Sequence, residues 1–143
     1  MLARNYFEQG YNCAQSVLLA FCEETGLAPD QAARLASTFG GGMGRMREVC
    51  GAVSAMFMIE GLVGGYVDPK AKEEKSAVYA RVRDLAARFR EKNHSIICRE
   101  LLLDIETTPG YEPEERTDGY YERRPCGCYV ADAAALIAEA IGA

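Results

Sequence analysis

Apolar residues recur every three or four positions along most of this chain, the repeat of a helix with one buried face. No segment alternates as a half-buried strand would, and no internal repeat is present. Asn12 suits the cap of a helix on which Cys13, Val17, Ala20 and Phe21 share one face until Gly26 stops it. Pro29 suits the first position of the next, which runs through Ala32, Ala33, Leu35 and Ala36 to Phe39. A third, apolar helix is predicted over about 48–63, ending at Gly64-Gly65. Pro69 opens the longest, with Val78, Val82, Leu85 and Phe89 as its buried stripe and Arg81 and Arg88 on its wet side. Ser95 is placed to cap a brief helix over 96–103, and the last helix carries Val130, Ala133, Ala134, Ile137 and Ile141 on one side. The pattern predicts an all-α fold, a compact single domain over 1–143 built as a bundle of five or six helices.

Two segments break the periodicity. Glycine is too dense in Gly40-Gly41-Gly42-Met43-Gly44 for helix or strand, so this stretch is irregular and lets helices, or a cofactor, approach the backbone closely. It lacks the Lys-Ser/Thr ending of a phosphate-binding loop. The polar stretch 106–124, with Pro109, Gly110, Pro113 and Gly119, reads as a loop. A loop that long inside a compact domain is expected to cover a site or carry a partner surface. Its acidic run Glu112-Pro113-Glu114-Glu115 reads as solvated.

A chain of 143 residues buries roughly two-thirds of its extended surface, so its core needs neither a metal nor disulfides for stability. The net charge of −5, with the 12 Arg and 4 Lys interleaved with acids, argues against nucleic acid as a partner. Met1-Leu2-Ala3-Arg4-Asn5 does not begin a signal peptide, and no apolar run approaches the ~20 residues of a membrane span. The expected location is cytoplasmic, where thiols stay reduced. Six cysteines there point to metal binding or redox exchange before structural bridges.

Cys13, Cys98 and Cys126 fall at or near predicted helix starts, where free amides and the helix dipole favour a thiolate. Cys50 follows the glycine run, with Arg45 and Arg47 nearby in sequence. Cys22, nine residues after Cys13, is predicted on the opposite side of the same helix, since nine steps of ~100° make a half turn. Cys126 and Cys128 are not separable by spacing, because a Cys-x-Cys pair brings both sulfurs towards one region. The single histidine, His94, reads as a cap or surface residue, and as a metal ligand only if the Cys98 helix begins a turn earlier. Met56 and Met58 read as core. One histidine and no nucleophile elbow exclude a serine-hydrolase arrangement.

The ordered motifs Phe7-x-x-Gly10-Tyr11-Asn12-Cys13-Ala14-Gln15-Ser16-Val17, Phe39 to Gly44, Cys50-Gly51-Ala52-Val53-Ser54 and Cys98-Arg99-Glu100-Leu101-Leu102, with a last cysteine before Tyr129-Val130-Ala131-Asp132-Ala133-Ala134, resemble the bacterial and archaeal C-GCAxxG-C-C family. Its members are described as redox-active proteins of about this length with four hallmark cysteines. The resemblance makes Cys13, Cys50, Cys98 and Cys126 the hallmark set, as catalytic thiols or metal ligands. One position departs: Ala55 stands where the family's Cys-Gly-Ala-x-x-Gly motif ends in glycine. A similar domain fused to haem-binding segments in some cytochromes makes electron transfer through an iron–sulfur cluster one implied chemistry. Gly41, Gly42 and Gly51 are the candidates for cofactor contact.

Three functions compete: a thiol or iron–sulfur redox protein exchanging electrons with a donor or acceptor protein, a zinc protein with four thiolates closing a structural or sensory site, and a helical interaction module with core cysteines. A homodimer is also expected, because the helices from Ala52 and from Pro69 offer more apolar surface than a monomer needs. Serine at Cys13, Cys50, Cys98 or Cys126 is predicted to abolish metal binding or thiol–disulfide activity, whereas Cys22→Ser leaves both intact in metal analysis and thiol-exchange assays.

Overall fold

Capping chemistry fixes where the first helices begin. A computed structural model describes residues 2–143; Met1, the first residue of the segment read for a leader, lies outside them. Helix α1 spans Leu2–Glu8 and α2 spans Cys13–Leu19. Asn12 caps α2 with a reciprocal box: its Oδ1 accepts from the Gln15 amide at 2.8 Å, and Gln15 Oε1 accepts from the Asn12 amide at 3.2 Å. Then come α3 (Cys22–Thr25), α4 (Pro29–Ser37, with proline in its first turn), α5 (Gly51–Gly64), α6 (Lys72–Asn93), α7 (Cys98–Leu101), α8 (Asp118–Arg123) and α9 (Cys126–Ile141).

The class is all-α, with nine helices among the described residues where five or six were expected. Three differences account for the count. Helix α1 is too short to show a period, yet Ala3 and Phe7, four apart, are both buried in the core. The stretch expected as one helix from Cys13 breaks after Leu19, because the amides of Ala20 and Phe21 turn back to carbonyls only three residues earlier. Phe21 leaves helical geometry at φ −120° and buries its ring, so Cys22 opens a separate helix. Helix α8 forms inside the expected loop, where Thr117 Oγ1 accepts from the Tyr120 amide at 3.1 Å.

Other boundaries moved for identifiable reasons. Helix α5 starts at Gly51 because residues 47–50 run antiparallel to 96–99 instead of coiling. The Cys50 amide donates to Ile96 O (2.8 Å), the Cys98 amide to Glu48 O (2.6 Å) and the Arg99 amide to Arg47 O (3.2 Å), about an isolated bridge of Val49 with Ile97. Ser95 does not cap α7; its Oγ accepts from the Ile97 amide and donates to Glu100 Oε1, closing the turn before the helix. Helix α6 begins three residues after Pro69, because a turn held by Asp68 intervenes. Its stripe is sealed only in the C-terminal half: Leu85, Ala86 and Phe89 are buried, Val78 and Val82 only half-buried.

Helices α2, α5 and α9 pack together at the centre through Val17, Leu18, Val53, Met56, Ile59, Val130 and Ile137, and α6 adds Phe89. Ala55 is fully buried in this core and takes no part in the cysteine cavity described below, so the methyl at the family's glycine position sits in a helix-packing contact. No helix among the described residues is long and apolar enough to cross a membrane.

The glycine run makes the 47–50 pairing reachable. From Gly41 to Arg47 the chain holds positive φ at Gly41, Gly42, Met43, Gly44, Arg45 and Arg47, a region that costs side-chain-bearing residues energy. Gly42 is the most constrained: at φ +73°, an added Cβ would meet Cys98 Cβ at 2.6 Å and Arg47 Cα at 2.8 Å. Gly42→Ala is therefore expected to destabilise the fold by about 2 kcal/mol or more. Gly61→Ala, in a helix with nothing within 4 Å of the new methyl, is expected to stabilise by roughly 0.4–1 kcal/mol. Urea denaturation of the two variants checks both signs.

Candidate functional site

Four cysteines sit at the N-terminal ends of four helices. Cys13 opens α2 behind the Asn12 cap, Cys98 opens α7, Cys126 opens α9 behind Pro125, and Cys50 is itself the residue preceding α5. All four line one small cavity of about 50 Å³, room for a few water molecules and no organic coenzyme. The antiparallel contact of 47–50 with 96–99 brings in Cys50 and Cys98; the packing of α2 against α9 brings in Cys13 and Cys126. Cys50, Cys98 and Cys126 are buried, and every cysteine is a free thiol.

The thiols do not share one chemistry. Cys13 and Cys126 lie close enough to share a proton, which with burial holds Cys13 well above the ordinary thiol range. The same proton sharing brings Cys126 down to about 6, against the cost of its burial and with help from the guanidinium groups of Arg124 and Arg116. Burial pushes Cys50 up to about 12, although the Val53 and Ala52 amides favour its anion. Cys98 is also raised by burial, while Arg47 Nη1, donating to its sulfur at 3.8 Å, pulls the other way. The thiols thus diverge: Cys126 is shifted towards the thiolate, while Cys13, Cys50 and Cys98 are held towards the neutral form.

Gly41, Gly42 and Gly51 line this cavity too. The space their side chains would take is filled by the protein: Arg45 Cγ at 2.7 Å from a Cβ on Gly41, Cys98 Cβ beside Gly42, and Phe39 O at 2.9 Å for Gly51. Cys22 is not among the lining residues. Cys128 is exposed beside Arg4, on the other side of α9, because both cysteines lie within a helix where a two-residue step turns ~200°. The expectation that Cys126 and Cys128 bring their sulfurs to one region therefore fails. His94 ends α6 at φ +74°, exposed, and the Cys98 helix starts after it rather than a turn earlier.

Sequence reasoning placed Arg47 near Cys50 but missed Arg116 and Arg124, which line the cysteine cavity with Arg47 and Tyr120. The acidic run is not simply solvated either: Glu114 has only 10% of its side chain exposed and pairs with Arg124, with Arg45 at 3.9 Å and with Arg123 at 3.8 Å. Arg45 also donates to the Thr108 and Gly110 carbonyls at 3.0 and 3.1 Å. These contacts fold the 106–124 segment over the site. The available signal was an acid inside an arginine-rich segment of a chain with few lysines.

Thiolate donors are of the type that suits zinc or an iron–sulfur cluster. Among the described residues no three Cys, His, Asp or Glu side chains are gathered closely enough to hold a metal ion.

The fold and site define a helical protein with a four-cysteine centre. The family model for "Putative redox-active protein (C_GCAxxG_C_C)" matches residues 11–140, and the chain belongs to that family. Neither the curated proteins nor the solved structures yield a match. The matched span contains all four cysteines and the glycine run, and leaves out α1.

The thiol asymmetry makes a pH prediction. Only the thiolate alkylates, so carboxamidomethylation of Cys126 should rise through a midpoint near its lowered value of about 6 and stay level above it. Cys50 should remain unreactive until the pH nears 12. Cys13→Ala removes the shared proton and should move the Cys126 midpoint upward, as read by mass spectrometry of alkylated peptides across pH.

Proposed function

We propose that the cysteine cavity is a redox centre whose working pair is Cys13 and Cys126, cycling between dithiol and disulfide. The single observation that carries this reading is the convergence of Cys13 and Cys126, at the starts of α2 and α9, on one cavity, where the Cys126 thiol is shifted down and the Cys13 thiol up. Cys126 Sγ attacks one sulfur of a partner's disulfide, breaking its S–S bond and releasing one partner thiolate. Cys13 then gives its proton to that leaving group and attacks Cys126 Sγ, expelling the second partner thiolate. The partner gains two electrons, and the chain is left with a Cys13–Cys126 disulfide. Cys50 and Cys98, both raised by burial, are the weaker nucleophiles, so the exchange is confined to one pair.

A second reading rests on the number of thiols: an exchange pair needs two, and four helix starts deliver four. Cys13, Cys50, Cys98 and Cys126 would then hold an iron–sulfur cluster, which when bound carries single electrons between partner proteins. The arginines of the cavity wall would offset its negative charge.

Pairing with a second copy of the chain is part of this proposal. The loop end of the α5–α6 pair leaves Leu62, Val63, Val67 and Tyr79 exposed, apolar surface of the kind that marks contacts. Light scattering is expected to return about twice the 15.6 kDa chain mass; the single-chain mass at micromolar concentration would count against the dimer.

Purification under nitrogen separates the two redox readings. The dithiol reading predicts a colourless protein that loses two titratable thiols on mild oxidation, with Cys13→Ser or Cys126→Ser eliminating the loss. The cluster reading predicts visible absorption with iron and acid-labile sulfide, lost with serine at any of the four. A colourless protein whose thiol count does not change on oxidation would sink both.

A further inference from the structure

A second hollow, of about 470 Å³, adjoins the cysteine cavity and shares Asn12, Gly41, Arg47, Arg116, Tyr120 and Arg124 with it. This volume is in the range of small-molecule sites. Arg45, Arg47, Arg116 and Arg124 face it against one carboxylate, Glu114, leaving three positive charges in surplus. The chain as a whole carries −5, so the hollow has the opposite sign to the molecule, and a concave site of one sign concentrates ions of the other.

Much of this charge is already committed. Glu114 pairs with Arg45, Arg123 and Arg124, and Arg116 donates to the Phe7 and Tyr11 carbonyls, both at 3.0 Å. Two donors are left over. Arg47 Nη2 and Arg124 Nε are buried without any hydrogen-bond partner, on residues that line the hollow, and Arg124 is more than nine-tenths buried. Buried guanidinium N–H groups are seldom left unpaired, and oxyanions are their best-matched acceptors. Arg47 reaches Cys98 through Nη1, and Arg124 stands beside Cys126. Both residues therefore join the hollow to the thiols.

We propose that this hollow binds the carboxylate or phosphate group of a small anionic molecule and presents the rest of that molecule to the cysteine centre. The inference rests on the dithiol–disulfide reading and names the substrate class of that site: a small disulfide that carries a carboxylate or phosphate group. The donors left without partners are buried in the wall of the hollow, within reach of a small oxyanion and out of reach of a folded partner's surface.

The test is calorimetric titration of the protein, purified under nitrogen, with inorganic phosphate. Saturable binding at one site per chain is expected, weakened about tenfold by Arg47→Gln through loss of a charge-assisted hydrogen bond and retained in Cys13→Ser. Should Arg47→Gln fail to fold, the unmodified chain still supplies a readout: phosphate should slow alkylation of reduced Cys126 by anionic iodoacetate and leave its reaction with neutral iodoacetamide unchanged. Absence of phosphate binding, or equal effects on the two reagents, would overturn the anion site. Phosphate binding in a chain whose thiols prove redox-inert would retain an anion site but remove its assignment as the substrate pocket of a redox centre.

Discussion

Everything at the cysteine centre depends on how closely the glycine run lets the chain approach Cys98. With no side chain on Gly42, Cys98 Cβ can occupy space an alanine methyl would need. Successive positive-φ residues then turn the chain so that 47–50 meets 96–99 edge to edge. That short ladder replaces the first turn expected for α5, and so delays the helix until Gly51 and leaves Cys50 at its mouth. Gly51 repeats the device on the other side, admitting Phe39 O and Ala14 N within about 3 Å of where its Cβ would be. Two close approaches thus bring the starts of α2, α5 and α7 together, and α9 closes the ring.

Four helix starts aimed at one cavity create a local field opposite in sign to the molecule's net charge. Each contributes partial positive charge from unpaired amides, and Arg47, Arg116 and Arg124 add full charges. Burial opposes ionisation of every thiol there, so the field is not strong enough to ionise all four. It is enough for one, Cys126, where a neighbouring thiol proton and two arginines act together. Positive surroundings and burial thus push two neighbouring thiols in opposite directions, Cys126 down and Cys13 up.

The helical class, the Asn12 and Pro29 starts and the core faces of α2 and α9 were legible because they are local: caps and apolar spacing act within a turn or two. So was the set Cys13, Cys50, Cys98 and Cys126, through helix-start position and family motifs, although their assignment as redox ligands or thiols remains the proposal made above. The break at Ala20-Phe21 was not legible, since it follows from burying Phe21 in the assembled core. Nor was the placement of Cys128, which depends on α9 beginning exactly one residue after Pro125 rather than beyond the Cys-x-Cys pair. The 106–124 segment hid the most: Glu114 and its arginines come from positions 45 to 124, and no period links an acid in a loop to cations that distant in sequence.

The most direct measurement follows all six cysteines at once. Each thiol's alkylation rate, read by peptide mass spectrometry, is compared between protein reduced under nitrogen and protein brought to its oxidised state by a mild oxidant. The account predicts that Cys13 and Cys126 change together, at one potential, while Cys22 and Cys128 react alike in both states. Independent changes at Cys13 and Cys126, or a change confined to Cys22 and Cys128, would contradict a shared centre.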